Sequence, residues 1–132
     1  MKMVCATVAV VCFWAAGCGA SRIPASLRGY EILIERSDSQ GVELTRAFRE
    51  HGFRVRGAVR GGSRPTAALI VFTYQEPGPG TAPWLHFRLA DTRTGAIVGA
   101  AMVPLDSVGL SAKARADAGV RALLATALPT PP

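Results

Sequence analysis

The 132-residue chain has little of what most enzyme chemistry requires. Its two histidines stand far apart, and neither lies in an HExxH or paired-His spacing, so no metal centre is expected around them. No Gly-x-Ser-x-Gly elbow is present, and Ser107, His86 and Asp91 make a triad only if unrelated positions are gathered together. The nine acidic residues are scattered, with no close carboxylate pair of the kind that cleaves glycans. Gly61-Gly62 and the pair Gly78 and Gly80 lack the strand, loop and helix setting, and the lysine, of a phosphate loop; they read as turns. The expectation is a protein that is not an enzyme and uses neither cofactor nor metal.

Cysteine is equally scarce, and its three copies, Cys5, Cys12 and Cys18, all fall in the first 18 residues. Lys2 precedes an apolar stretch from Met3 to Ala16, and small residues follow it, which is the grammar of a secretory leader. Loss of the leader before Cys18 would remove Cys5 and Cys12. The single remaining thiol excludes an intramolecular disulfide, even in an oxidising compartment, and excludes CxxC metal sites. Three other readings stay open: a retained anchor, although the stretch is shorter than a spanning helix; ordinary cleavage after Ala20; and a buried N-terminal element, against which the lack of amphipathicity speaks.

The run Ala15-Ala16-Gly17-Cys18 resembles the lipobox of bacterial lipoproteins, with Ala15 where leucine is usual. The resemblance implies cleavage just before Cys18, a diacylglycerol on its sulfur and an acyl chain on its new amino group, so that the membrane is a partner through lipidated Cys18. Gly19 and Ala20 follow, with no Asp after the cysteine, which by analogy with lipoprotein sorting implies the outer membrane, facing the periplasm. The expected organisation is a signal peptide over 1–17, a flexible tether over 18–28, a single domain over 29–128 and a Pro-rich tail over 129–132. The mature chain of 115 residues has room for one core. Without Lys2 it carries 14 basic and 9 acidic residues, a net charge of +5 held almost wholly by arginine. Such a charge would favour anionic lipid headgroups, lipopolysaccharide phosphates or acidic wall polymers, although an ordinary solvated surface is the preferred reading of it; nucleic acid is not an expected partner outside the cytoplasm.

Within the domain, Tyr30, Ile32 and Ile34 alternate as a first strand, and Ser37 to Gly41 offers turn and N-cap chemistry. From Val42 to His51, Leu44, Ala47, Phe48 and His51 share one helical face, and Gly52 stops the helix so that Phe53 packs back on its last turn. Phe53, Val55, Gly57 and Val59 alternate with Arg54, Arg56, Ala58 and Arg60 as a second strand. The continuous apolar run Ala67 to Tyr74 predicts a strand covered on both faces or central in the sheet. Trp84 to Ala90 and Ala96 to Val103 form a hairpin around Asp91-Thr92-Arg93-Thr94-Gly95, with Gly95 at positive φ. A last helix runs from an N-cap at Ser111 to Leu128, with Ala116, Val120, Leu123, Leu124, Ala127 and Leu128 as its apolar stripe. The expected fold is an α+β two-layer sandwich: a mostly antiparallel five-stranded sheet with two helices on one face, in shorthand β-α-β-β-β-α. The stretch Leu89 to Val98 looks like the strand, D-x-x-T-G, strand hairpin of small envelope lipoproteins, including the lipopolysaccharide-assembly, curli-secretion and flagellar-associated families. That resemblance implies an α+β fold and carries over no functional residue.

One surface stands out. Trp84, His86 and Arg88 fall on the strand face opposite Leu85, Phe87 and Leu89, and tryptophan and arginine are enriched where proteins bind one another. Arg54 and Arg56 are expected to extend this face, with Arg60, provided their strand turns them the same way. A rim position for Trp84 under the 77–83 loop is the plainer alternative, as is a helix-end charge for His51. The sequence therefore predicts a non-catalytic envelope lipoprotein that docks on a larger assembly; alternatives are a binder or carrier of anionic lipid or glycan and, least, a wall-modifying enzyme.

Overall fold

The computed structural model describes residues 23–58, 64–109 and 111–126. The expected leader, Cys18, the strand residues Val59 and Arg60, the helix residues Ala127 and Leu128 and the 129–132 tail lie outside them. The elements are β1 (Glu31–Leu33), α1 (Ser39–Glu50), β2 (Val55–Arg56), β3 (Thr66–Tyr74), β4 (Trp84–Asp91), β5 (Ile97–Pro104), α2 (Leu105–Val108) and α3 (Ala112–Thr126). They form an α+β fold with one five-stranded sheet in the order β2-β1-β3-β4-β5. The long pairings, β3 with β4 and β4 with β5, are antiparallel, as expected. β1 pairs parallel with both β2 and β3 over two or three residues, which makes the sheet mixed. The chain order has one strand more than the shorthand, and the short α2 was not expected.

Local chemistry sets the boundaries. Asp38 caps α1 by accepting a hydrogen bond from the Gly41 amide at 2.9 Å, so the helix begins three residues before the expected start at Val42. At its other end Gly52 takes φ +88°, the Phe53 amide donates to the Phe48 carbonyl at 3.1 Å, and the two rings meet edge to face at 5.6 Å. In the β4–β5 hairpin Gly95 has φ +73°, and Asp91 Oδ1 accepts from the Arg93 amide at 2.7 Å and the Thr94 amide at 3.2 Å. The Tyr30 hydroxyl donates to the other oxygen of Asp91 at 2.6 Å, tying the start of the domain to this turn. The tether expected over 18–28 is cut short. Residues 25–27 form a 3₁₀ turn whose Leu27 is fully buried, so the domain begins before residue 29. Nor is β1 half-exposed: Glu31 and Leu33 are as buried as Ile32, and Arg56 forms an ion pair with the Glu31 carboxylate.

The core fills the space between α1, α3 and one face of the sheet, with Ile32, Ala67, Leu85, Phe87 and Leu89 meeting Leu44, Phe48, Val120 and Leu123. Its closest approach is at Gly119 on α3. A Cβ there would stand inside the Cζ, Cε1 and Cε2 atoms of Phe87, so only glycine lets the helix lie against the ring. Across the two helices Arg46 donates to Glu43, Glu50 and Asp117, each at 2.7 Å, and Lys113 donates to Asp117 at 2.9 Å. These cations, Arg46 first, hold the Asp117 carboxyl below the usual carboxylate range.

Two outcomes follow from this packing. Gly119→Ala gains about 1 kcal/mol of helix propensity and loses about 1–3 kcal/mol to overpacking, so chemical denaturation should find it less stable by up to about 2 kcal/mol. Adding Phe87→Leu should recover part of that loss rather than compound it. The second outcome concerns acid. Asp117 is lowered in the folded state, so its stabilisation is complete above the unfolded value near about 3.9 and disappears as pH falls through the lower folded value. Stability measured from pH ~5 to ~2 should therefore fall less steeply in Arg46→Gln than in the natural chain.

Candidate functional site

Strand alternation gives β3, β4 and β5 a second face that none of the described helices covers. Residues in register across it include Tyr74 and Trp84; Phe72, His86 and Met102; and Ile70, Arg88 and Ala100. Their sequence neighbours Val71, Leu85, Phe87, Leu89, Ala101 and Val103 point to the helices and form or adjoin the core. On the uncovered side Ile70, Tyr74, Trp84, Ile97 and Met102 are between 40% and 57% exposed. Single exposed apolar residues are ordinary, but a contiguous set on one flat face is the kind of patch that marks an interaction site.

The face is ordered by its own contacts. The imidazole of His86 stacks on Phe72 with centroids 4.7 Å apart and planes 12° from parallel, and Tyr74 meets His86 edge-on at 6.1 Å. The Arg88 guanidinium carbon lies 5.3 Å from the Phe72 ring centroid, within cation–π range. Phe72 is thus held between two β4 side chains spaced two residues apart. Toward the β5 edge a cavity of about 410 Å³ is lined by His86, Arg88, Ala100, Met102 and Thr126, and the Thr126 hydroxyl donates to the Ala100 carbonyl at 2.8 Å.

The structure brings Trp84, His86 and Arg88 together on this face and leaves Trp84 open. It does not join Arg54 and Arg56 to them. The register places Arg56 beside Leu33 and, through it, Ala68, which is the same side of the sheet. Yet β1 and β3 lie between β2 and β4, about 14 Å in all at the usual strand spacing. Arg56 is also engaged by Glu31, while Arg54 borders a separate cavity of about 140 Å³ with Tyr30 and Arg64. The residues that sequence reasoning missed are Ile70, Phe72, Tyr74, Ile97 and Met102. Their signal was the alternation hidden inside the apolar run of β3, where both faces carry apolar side chains.

Chemically, the described residues of the site offer contact area and the cation of Arg88. His86 is packed between aromatic rings, and His51 lies at the α1 C-cap with a buried Nδ1 that has no hydrogen-bond partner. Among the described residues no group of three or more His, Cys, Asp or Glu side chains is placed to hold a metal ion, and no helix is long and apolar enough to cross a membrane.

The two sides of the sheet should respond differently to truncation. Trp84→Ala, Ile97→Ala and Met102→Ala are each expected to change unfolding free energy by no more than about 0.5 kcal/mol, as exposed positions do. Phe87→Ala on the covered side should lose about 3–5 kcal/mol. Urea titration of the four variants measures both. No protein-family model matches this chain, and neither a curated protein nor a solved structure is significantly similar to it.

Proposed function

We propose that this protein is a non-catalytic envelope lipoprotein, anchored through Cys18 in the outer membrane facing the periplasm, that docks on a larger assembly through the uncovered face of its sheet. The observation that carries this reading is the contiguous exposed set Ile70, Tyr74, Trp84 and Met102, joined by the cation of Arg88. The partner that fits is a protein with an apolar surface flanked by carboxylates. Tryptophan and tyrosine there supply large contact area with few rotatable bonds, and the stacking around Phe72 limits the ordering cost on binding. Acyl chains on Cys18 would confine the domain near the bilayer and raise its effective concentration at the partner.

Transport of a lipid in the body of the domain is the weaker reading. An acyl chain would need a channel between sheet and helices, and that space is filled by Leu27, Phe48, Phe87 and Leu123, all fully buried.

The test is affinity purification of the tagged full chain from detergent-solubilised envelopes, with intact-mass analysis of the bait. Natural chain, Cys18→Ala, Trp84→Glu and Arg121→Glu on the helix side are run together. The expected result is an acylated bait that brings down one near-stoichiometric protein. Its recovery should hold in Arg121→Glu and fall about 30-fold in Trp84→Glu, the size of a hot-spot loss of about 2 kcal/mol. An unmodified bait overturns the anchor, and recovery indifferent to Trp84 overturns the docking face.

A further inference from the structure

On the helix side of the sheet lies a cavity of different chemistry. It measures about 400 Å³ and opens where the end of β3 and the start of β4 meet the first turns of α1 and α3. Two guanidinium groups from distant parts of the chain line it: Arg36, from the connection between β1 and α1, and Arg115, from the first turn of α3. Ser39, Gln40 and Thr73 add polar side chains, and no acidic residue contributes to the lining.

The two cations differ in how they are satisfied. Arg36 donates to Asp38 through Nη2 at 2.5 Å and Nε at 3.3 Å, and Asp38 in turn serves the Gly41 amide, so this end is partly neutralised. The Nε of Arg115 is buried and has no hydrogen-bond partner. A buried charged donor without an acceptor is costly, since it gives up hydration with no hydrogen bond in return. None of the described residues supplies that acceptor. Gln40 Nε2 donates to the Ala112 carbonyl at 3.2 Å and so holds the two helix starts side by side. Their macrodipoles add positive potential on the same spot, which reinforces the arginines without being the site's foundation.

We propose that this cavity binds a phosphate group, with Arg115 and Arg36 as its two charged donors. Guanidinium forks match tetrahedral oxyanions, and the mixture of hydroxyl and amide side chains suits the remaining oxygens. A water's share of liquid volume is about 30 Å³, so the space exceeds what a bare anion fills and admits part of the molecule that carries it. The phosphate is therefore either a free anion or the phosphomonoester headgroup of a lipid. The site shares Phe72 alone with the docking face as described above, and the docking reading stands or falls without it.

Thermal unfolding of the full-length Cys18→Ala chain is followed with added inorganic phosphate, against sodium chloride of matched ionic strength. The same chain is then floated with phosphatidylcholine vesicles, with and without phosphatidic acid. A saturable rise in Tm with phosphate but not chloride is expected, and its midpoint should move to about tenfold higher phosphate in Arg115→Gln and in Arg36→Gln. Arg49→Gln, outside the cavity, should behave as the parent. If Arg115→Gln fails to fold, Arg36→Gln decides, because its side chain is half exposed. Flotation that requires phosphatidic acid and is lost in the arginine variants assigns the phosphate to a lipid; a Tm response without flotation assigns it to a soluble anion. Absence of both responses, or responses equal in the Arg36 variant and the parent, overturns the site.

Discussion

The layer of helices is keyed to the sheet at one point, where the ring of Phe87 occupies the room that a side chain at Gly119 would take. Phe87 stands near the middle of β4, between β3 and β5, and is fully buried. Because α3 can approach it only at a residue without Cβ, this contact fixes how far along and how close the helix lies. α1 then takes its place beside α3 through the bond from Arg46 to Asp117 and the bond from Gln40 to the Ala112 carbonyl. The convergence of two helix starts over the end of the sheet, and with it the arginine-lined cavity, is downstream of that single close approach.

The two faces of the sheet solve different problems with similar residues. Toward the helices, apolar side chains vanish into the core and supply most of the stability. Away from them Ile70, Tyr74, Trp84 and Met102 remain in water, where they add little to folding. What keeps this outer face defined is local: ring stacking of His86 on Phe72, the cation of Arg88 beside it, and strand register. A rigid apolar face left open by the described residues has its ordering cost met in advance, which is the property a docking surface needs.

Much of this architecture was legible in the sequence because its signals are local. Gly52 and Phe53 ending α1, Ser111 accepting from the Ala114 amide, and the turn from Asp91 to Gly95 all follow from neighbours a few residues apart. The alternation of β4 placed Trp84, His86 and Arg88 on one side correctly. What failed depended on distant partners. Glu31 reads as a surface residue until Arg56, 25 positions later, arrives to pair with it. Leu27 sits among small and polar residues that look like a tether, and its burial is set by contacts with the folded domain. The run of β3 marks a strand central in the sheet, as expected, but being apolar on both sides its period of two could not reveal that the described residues leave one side open. Arg36 and Arg115 carry no motif that links them, and only the packing of α1 against α3 brings them to one cavity.

The parallel pairing of β1 has a consequence for the order in which the chain acquires structure. The β3–β4–β5 meander closes through local connections and can form early, whereas β1 precedes the other described strands and pairs with β2 and β3, both later in the chain. Until they appear, Ile32 and Leu33 have no strand to join and the Glu31 carboxylate lacks Arg56. The first of the described strands is thus a waiting strand, and the interval before its neighbours become available is when this domain is most open to pairing with the wrong chain.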